Sequence, residues 1–148
     1  MGYFPMFIDM TGKKVLVIGG GTIATRRIRT LLEFKCDITV ISLGLTAELK
    51  ELSDQSKIRW KKREYSYGEI ESEFLVIGAT DNREVNHLVY LEAKKKGCLV
   101  NIIDCKEECD FYFPAVIIRD DIVIGVTASG TNHKAVKETA AWIRENLH

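Results

Sequence analysis

A chain of 148 residues with 46% apolar and 28% charged side chains is long enough to bury one core and too apolar for extended disorder. Its 21 basic side chains balance its 21 acidic ones, so no net positive field draws it to nucleic acid or an anionic membrane. The longest apolar runs fall well short of the roughly 20 residues of a spanning helix, and the N-terminus MGYFPMFIDM lacks the cationic flank of a leader, so the expectation is a single cytoplasmic domain with no nucleic-acid or membrane partner.

Met1-Gly2 opens like a lipidation signal, but position 6 is Met where Ser or Thr is required. In a reducing compartment Cys36, Cys98, Cys105 and Cys109 are expected as free thiols. Cys105 and Cys109 have the spacing of a ligand pair but lack the third and fourth ligands of a structural zinc site, so no metal is assigned. No repeat at solenoid spacing is present.

In chain order, KKVLVIG reads as a buried strand, Gly21 to Phe34 as a helix, DITVIS as a strand and Leu45 to Ser53 as a short helix. KIRWKKR follows as a polar strand, FLVIGAT as a buried strand, Asn82 to Lys96 as a helix and CLVNII as another buried strand. Strands apolar at successive positions have both faces covered, and crossovers of this length force parallel pairing. After about residue 108 the two apolar runs flanking Arg119-Asp120-Asp121 predict an antiparallel hairpin added to the sheet's edge, with Pro114 near its start. Residues 132 to 147 read as a closing helix capped by Asn132, with Ala135, Val136, Ala140 and Ile143 on one side. The expected class is therefore α/β: a Rossmann-like, doubly wound, mostly parallel sheet with a C-terminal antiparallel hairpin and closing helix.

Three consecutive glycines stand where the first strand becomes the first helix. Gly19, Gly21 and Ala24 fit G-x-G-x-x-A, the fingerprint of dinucleotide binding. Gly19 permits the tight turn, Gly21 lets a pyrophosphate approach bare backbone, and Ala24 lets the helix pack close. The amides of Thr22 and Ile23, at the helix start, face the anion. The acidic residue expected at the end of the second strand is missing. Ile41-Ser42-Leu43 stands there, and Ser42 can bond a ribose hydroxyl but neither repels nor pairs with a 2′-phosphate. The cofactor expected is NAD, with NADP left open.

These residues occur with IGATDNREVN in the middle of the chain and VNIIDCKEECDFYFPAVIIRDDIVIGVTASG after it. Together with FPMFIDMTGKKVLVIGGGTIATRR at the start, the chain resembles the dehydrogenase module of siroheme synthases, the precorrin-2 dehydrogenase family. The resemblance implies NAD-dependent removal of two hydrogens from precorrin-2, a tetrapyrrole, to give sirohydrochlorin. Some relatives also insert iron, so a bifunctional ferrochelatase is one alternative; a non-catalytic NAD-binding module of tetrapyrrole metabolism is the other. Family members usually continue into a helical dimerisation domain and often a methyltransferase domain. The expectation for this sequence is a single NAD(P)-binding domain over residues 1–148 with neither of these, able to pair as a homodimer through the final helix or the hairpin edge.

The resemblance assigns the catalytic aspartate to Asp104, at the end of the LVNIID strand, where it could take the released proton; spacing alone also allows an aspartate that caps a loop. Thr80 and Asp81 are expected to line the nicotinamide ribose; the other reading is a helix N-cap by Asp81 or Asn82, and both can hold together. Asn101 is either a cofactor contact or a buried polar anchor. A polycarboxylated substrate calls for cations near the sheet's carboxyl edge, and Arg26, Arg27, Lys106, Arg119, His133 and Lys134 are those available, each otherwise a solvated charge. Arg26 and Arg27 oppose the macrodipole of their helix. Phe111, Phe113 and Pro114 could wall a macrocycle or fill their own core. Ser129 and His133 flank a loop that departs from the family, with Asn132-His133 in place of Ser-Pro; both are carried as substrate contacts with Arg26, Lys106, Phe111 and Pro114.

Overall fold

Five short strands, three of them apolar at nearly every position and one, at the edge, polar, build the centre of the chain. The structure, a computed structural model describing residues 2–148, contains β1 (Lys14–Ile18), β2 (Asp37–Ser42), β3 (Arg59–Lys62), β4 (Leu75–Gly78) and β5 (Leu99–Ile102), all parallel in the order β3-β2-β1-β4-β5. Helices α1 (Thr22–Leu32), α2 (Ala47–Asp54) and α3 (Arg83–Lys96) make the crossovers. Val15 to Ile18, Val40, Ile41, Leu75 to Ile77, Val100 and Ile102 are buried, as strands covered on both sides require. From β1 the chain winds outward to β2 and β3, then returns to lay β4 on β1's other side. The crevice of such a sheet lies at that reversal, beyond the carboxyl ends of the strands.

Residues 9–110 form one compact unit around this sheet; residues 111–148, with the N-terminal segment through Ile8, form a second. In the second unit β6 (Ala115–Arg119) pairs antiparallel with β7 (Ile122–Val126) around Asp120, whose φ of +51° an aspartate tolerates. Helix α4 (His133–Asn146) packs on both strands through Ala135, Val136, Ala140 and Ile143, and Asn132 Oδ1 accepts the Ala135 amide at 2.9 Å as its N-cap. Among the described residues no helix is long and apolar enough to cross a membrane.

The hairpin is not an extension of the parallel sheet, as the sequence led us to expect, but a two-stranded sheet of its own. The reason lies along the outer edge of β5, whose ladder groups are already taken. The Asp110 carboxylate accepts the Val100 amide at 2.9 Å, the Asp110 amide donates to the Val100 carbonyl at 2.9 Å, and the Cys109 thiol meets the Ile102 amide and carbonyl, each at 3.2 Å. Cys109 is thus an edge cover, its thiol pushed up in pKa by burial.

One buried carboxyl group organises the loop between β3 and β4. Glu92 of α3 is fully buried, and its carboxylate accepts the Tyr65 hydroxyl, the Gly68 amide at 2.7 Å and the Ile70 amide at 3.1 Å. A carboxylate survives in an apolar interior only with such donors, and these fix the loop between β3 and β4. Replacing Glu92 with Ala strands three donors and should cost about 3 kcal/mol or more, measured as a lowered urea midpoint; Glu92→Gln, which keeps one acceptor oxygen, should lose less.

Candidate functional site

At the carboxyl edge of the parallel sheet, the turns after β1, β2, β3, β4 and β5 surround a cleft of about 1160 Å³. It is lined by the glycine turn with Thr22 and Ile23, by Ser42 to Thr46, by Glu64 and Tyr65, by Ala79 to Asn82 and by Ile103 and Asp104. The chain's fingerprint glycines and the strand-end aspartate thus border the same cleft.

The three glycines do different work. Gly19 has φ +118°, and a Cβ there would lie 2.2 Å from the Ala79 carbonyl oxygen, so it makes both the turn and the close pass of β4's end. A Cβ on Gly20 would lie 2.2 Å from the Gly44 carbonyl oxygen, because the turn after β2 is drawn in by the Thr46 amide donating to the Gly20 carbonyl at 3.0 Å. Gly21 is the N-cap of α1, and a Cβ on it would meet nothing within 4 Å. Beyond it the Thr25 amide makes the first helical bond, to Gly21, so the amides of Thr22, Ile23 and Ala24 have no intrahelical partner. Ala24 is fully buried, while Thr22 and Ile23 are exposed.

Ser42 Oγ is shielded from solvent and, among the described residues, is the buried side-chain polar atom without a hydrogen-bond partner. It lies beneath the glycine turn, 2.8 Å from where a Gly20 Cβ would stand. A bare-backbone cradle at a helix start, open space beside Gly21 and an orphaned hydroxyl below it are together a fit for the diphosphate of a dinucleotide.

The turn after β4 is held by Asn86, a fully buried residue of α3 that sequence reasoning passed over. Its Oδ1 accepts the Thr80 hydroxyl at 2.6 Å and the Thr80 amide at 3.1 Å, and its Nδ2 donates to the Thr80 carbonyl at 3.0 Å. Asn82, not Asp81, caps α3, accepting the Glu84 and Val85 amides at 2.9 and 3.2 Å. Asp81 is left exposed on the cleft wall.

Asp104 stands beyond β5, one third exposed, with its Oδ1 2.7 Å from Nη1 of Arg83. The same guanidinium bonds Glu108, which in turn meets His87 Nδ1 at 2.5 Å. Arg83 was missed in the sequence, although a cation at the first position of a helix opposes the macrodipole and so signals another partner. Asn101 is 3% exposed and does not line the cleft; it accepts a hydrogen bond from Arg27 of α1, whose guanidinium is depressed in pKa by burial.

Among the described residues the cleft carries three carboxylates, Glu64, Asp81 and Asp104, and no lysine or arginine. Arg26 lies exposed on α1 and Lys106 in a 3-10 turn (Lys106–Glu108), both outside the lining, while Phe111, Pro114, Ser129 and His133 belong to the second unit. Glu64 and Tyr65 were not anticipated either; they follow a strand read only as polar.

The chain matches, over residues 6–115, the model of a family described as putative NAD(P)-binding. It is 52% identical over 145 residues to the probable multifunctional siroheme biosynthesis protein HemA of Ruminiclostridium josui, covering 97% of this chain and 28% of that protein. To the siroheme synthase of Mannheimia succiniciproducens it is 37% identical over 147 residues, covering 99% of this chain and 30% of that protein. It therefore spans about three tenths of the length of these curated relatives. Among solved structures, SirC, a precorrin-2 dehydrogenase, matches with a TM-score of 0.83 at 28% identity, covering 97% of this chain and 71% of that one. The chain belongs to this putative NAD(P)-binding family, and nearly its whole length is similar in sequence to part of the siroheme synthases and in fold to a precorrin-2 dehydrogenase.

Proposed function

We propose that this chain binds NAD at the carboxyl edge of its parallel sheet and acts in siroheme biosynthesis as a precorrin-2 dehydrogenase, giving sirohydrochlorin. The observation that carries this reading is that the glycine turn and Asp104 open onto the same cleft. The names of its relatives, siroheme synthase and precorrin-2 dehydrogenase, support the substrate class.

The residues divide the work. The amides of Thr22, Ile23 and Ala24 and the bare face of Gly21 would hold the diphosphate; Thr80, fixed by Asn86, and the adjacent Asp81 would border the nicotinamide ribose. When bound, NAD would supply the hydride acceptor, the sink for one hydrogen with its electron pair. The accompanying proton goes to the Asp104 carboxylate, whose Oδ1 is tied to Arg83 and whose Oδ2 makes no hydrogen bond among the described residues. Arg83 is thus a positioning residue, holding Asp104 against the end of α3.

One observation favours a second reading. A densely carboxylated tetrapyrrole finds no cation in the lining of this cleft, which is what a dinucleotide-binding module without turnover of its own would present. Anaerobic incubation with NAD and precorrin-2, followed by absorbance, separates the two: sirohydrochlorin forms under the first reading, and NAD binds without turnover under the second.

Under the first reading Asp104→Asn should lower kcat by about 10²- to 10⁴-fold with NAD affinity within about twofold of wild type, by calorimetry. Gly21→Ala should melt like the wild type, since its Cβ meets open space, yet lose NAD binding by about tenfold or more. Equal loss of stability in Gly21→Ala would instead make that glycine a packing residue.

A further inference from the structure

Resting on the dinucleotide reading above, we propose that Glu64 supplies the carboxylate missing from the end of β2, and that it makes the cleft select an adenosine ribose without a 2′-phosphate. In a doubly wound sheet the acidic residue that bonds the ribose hydroxyls normally ends the second strand, where this chain has Ser42-Leu43. Ser42 Oγ is shielded beneath the glycine turn, so it does not present a charge to the cleft.

The neighbouring strand brings the replacement. Strands β2 and β3 are parallel with Ser42 opposite Lys62, so Glu64, two residues further on, leaves the sheet at the same edge as Ser42. It lines the same cleft as Leu43 to Thr46. Glu64 is exposed and makes no hydrogen bond or ion pair among the described residues, leaving both oxygens able to accept hydroxyl protons. The cations beside it are turned to other work: Arg63 pairs with Glu69 at 2.7 Å, and Lys62 Nζ lies 5.6 Å above the Trp60 ring. Neither lines the cleft.

Position as well as charge is prepared. The next residue, Tyr65, is tied through its hydroxyl to buried Glu92, which also holds Gly68 and Ile70, so the backbone that carries Glu64 is fixed before any ligand arrives. A carboxylate held there accepts from 2′ and 3′ hydroxyls. A 2′-phosphate in the same place would bring like charge to a wall with no lysine or arginine to neutralise it.

The test is titration calorimetry of the whole chain with NAD and with NADP. Wild type should bind NAD about tenfold or more tighter than NADP, the size of one charge-assisted hydrogen bond with its repulsive counterpart. Glu64→Gln should shrink that ratio to about threefold or less, and Glu64→Lys should invert it. Asp81→Asn, at the other end of the cleft, should leave the ratio unchanged. Melting curves matching wild type would show that the exposed position tolerates both Glu64 variants. If these bind NAD and keep the wild-type ratio, Glu64 does not discriminate. A shift in Asp81→Asn as large as that in Glu64→Gln would assign the preference to the charge of the whole cleft and overturn the proposal. Should the wild type bind neither nucleotide, the dinucleotide reading itself falls, a result distinct from a selectivity that ignores position 64.

Discussion

The close approach of backbone to backbone at the carboxyl edge of the sheet is the constraint on which the rest of this site depends. Gly19 passes the Ala79 carbonyl and Gly20 passes the Gly44 carbonyl at distances that no side chain would permit. Interiors pack too densely to absorb even one extra carbon at such points without moving a neighbour. Because three turns are pressed together in this way, the first turn of α1 is aimed at the crevice between β1 and β4, and its unpaired amides become a built electrostatic site in place of an ordinary frayed helix end.

Charge in the cleft follows a consistent pattern. The lining offers carboxylates and backbone amides, while the nearby cations are paired elsewhere: Arg83 with the lining Asp104, and Arg27 and Arg63 with Asn101 and Glu69, which lie outside the lining. On the dinucleotide reading proposed above, such a site would recognise a diphosphate through oriented dipoles, not through a net positive field, in keeping with a protein whose formal charges cancel.

The parallel core was legible because it rests on local pattern. VLVI and LVIG are apolar at consecutive positions, and the helices between them carry recognisable ends, so the succession of elements, their parallel pairing and the position of the glycine turn followed from period and spacing. What stayed hidden depends on partners distant in sequence. The hairpin's independence is decided by Asp110 and Cys109 lying along β5, and nothing in Asp-Phe-Tyr announces that an upstream strand has already used its ladder. Asp81 and Asn82 were interchangeable as caps until the geometry gave the role to Asn82. Arg83, Asn86 and Glu92 looked like the polar side of a helix, yet Asn86 and Glu92 are fully buried and Arg83 holds Asp104. Such polar positions are visible only once the groups they satisfy have been placed.

Those three residues have one thing in common: they all belong to α3. From its first turn the helix holds the strand-end aspartate, one turn later it grips the bend after β4, and farther along it anchors the segment carrying Tyr65. A rod of 14 residues spans about 21 Å, so opposite jaws of the crevice hang from a single rigid beam. Widening one jaw without tilting the other would require the beam itself to bend, and the spacing between the two ends of an extended guest is therefore gauged by one helix.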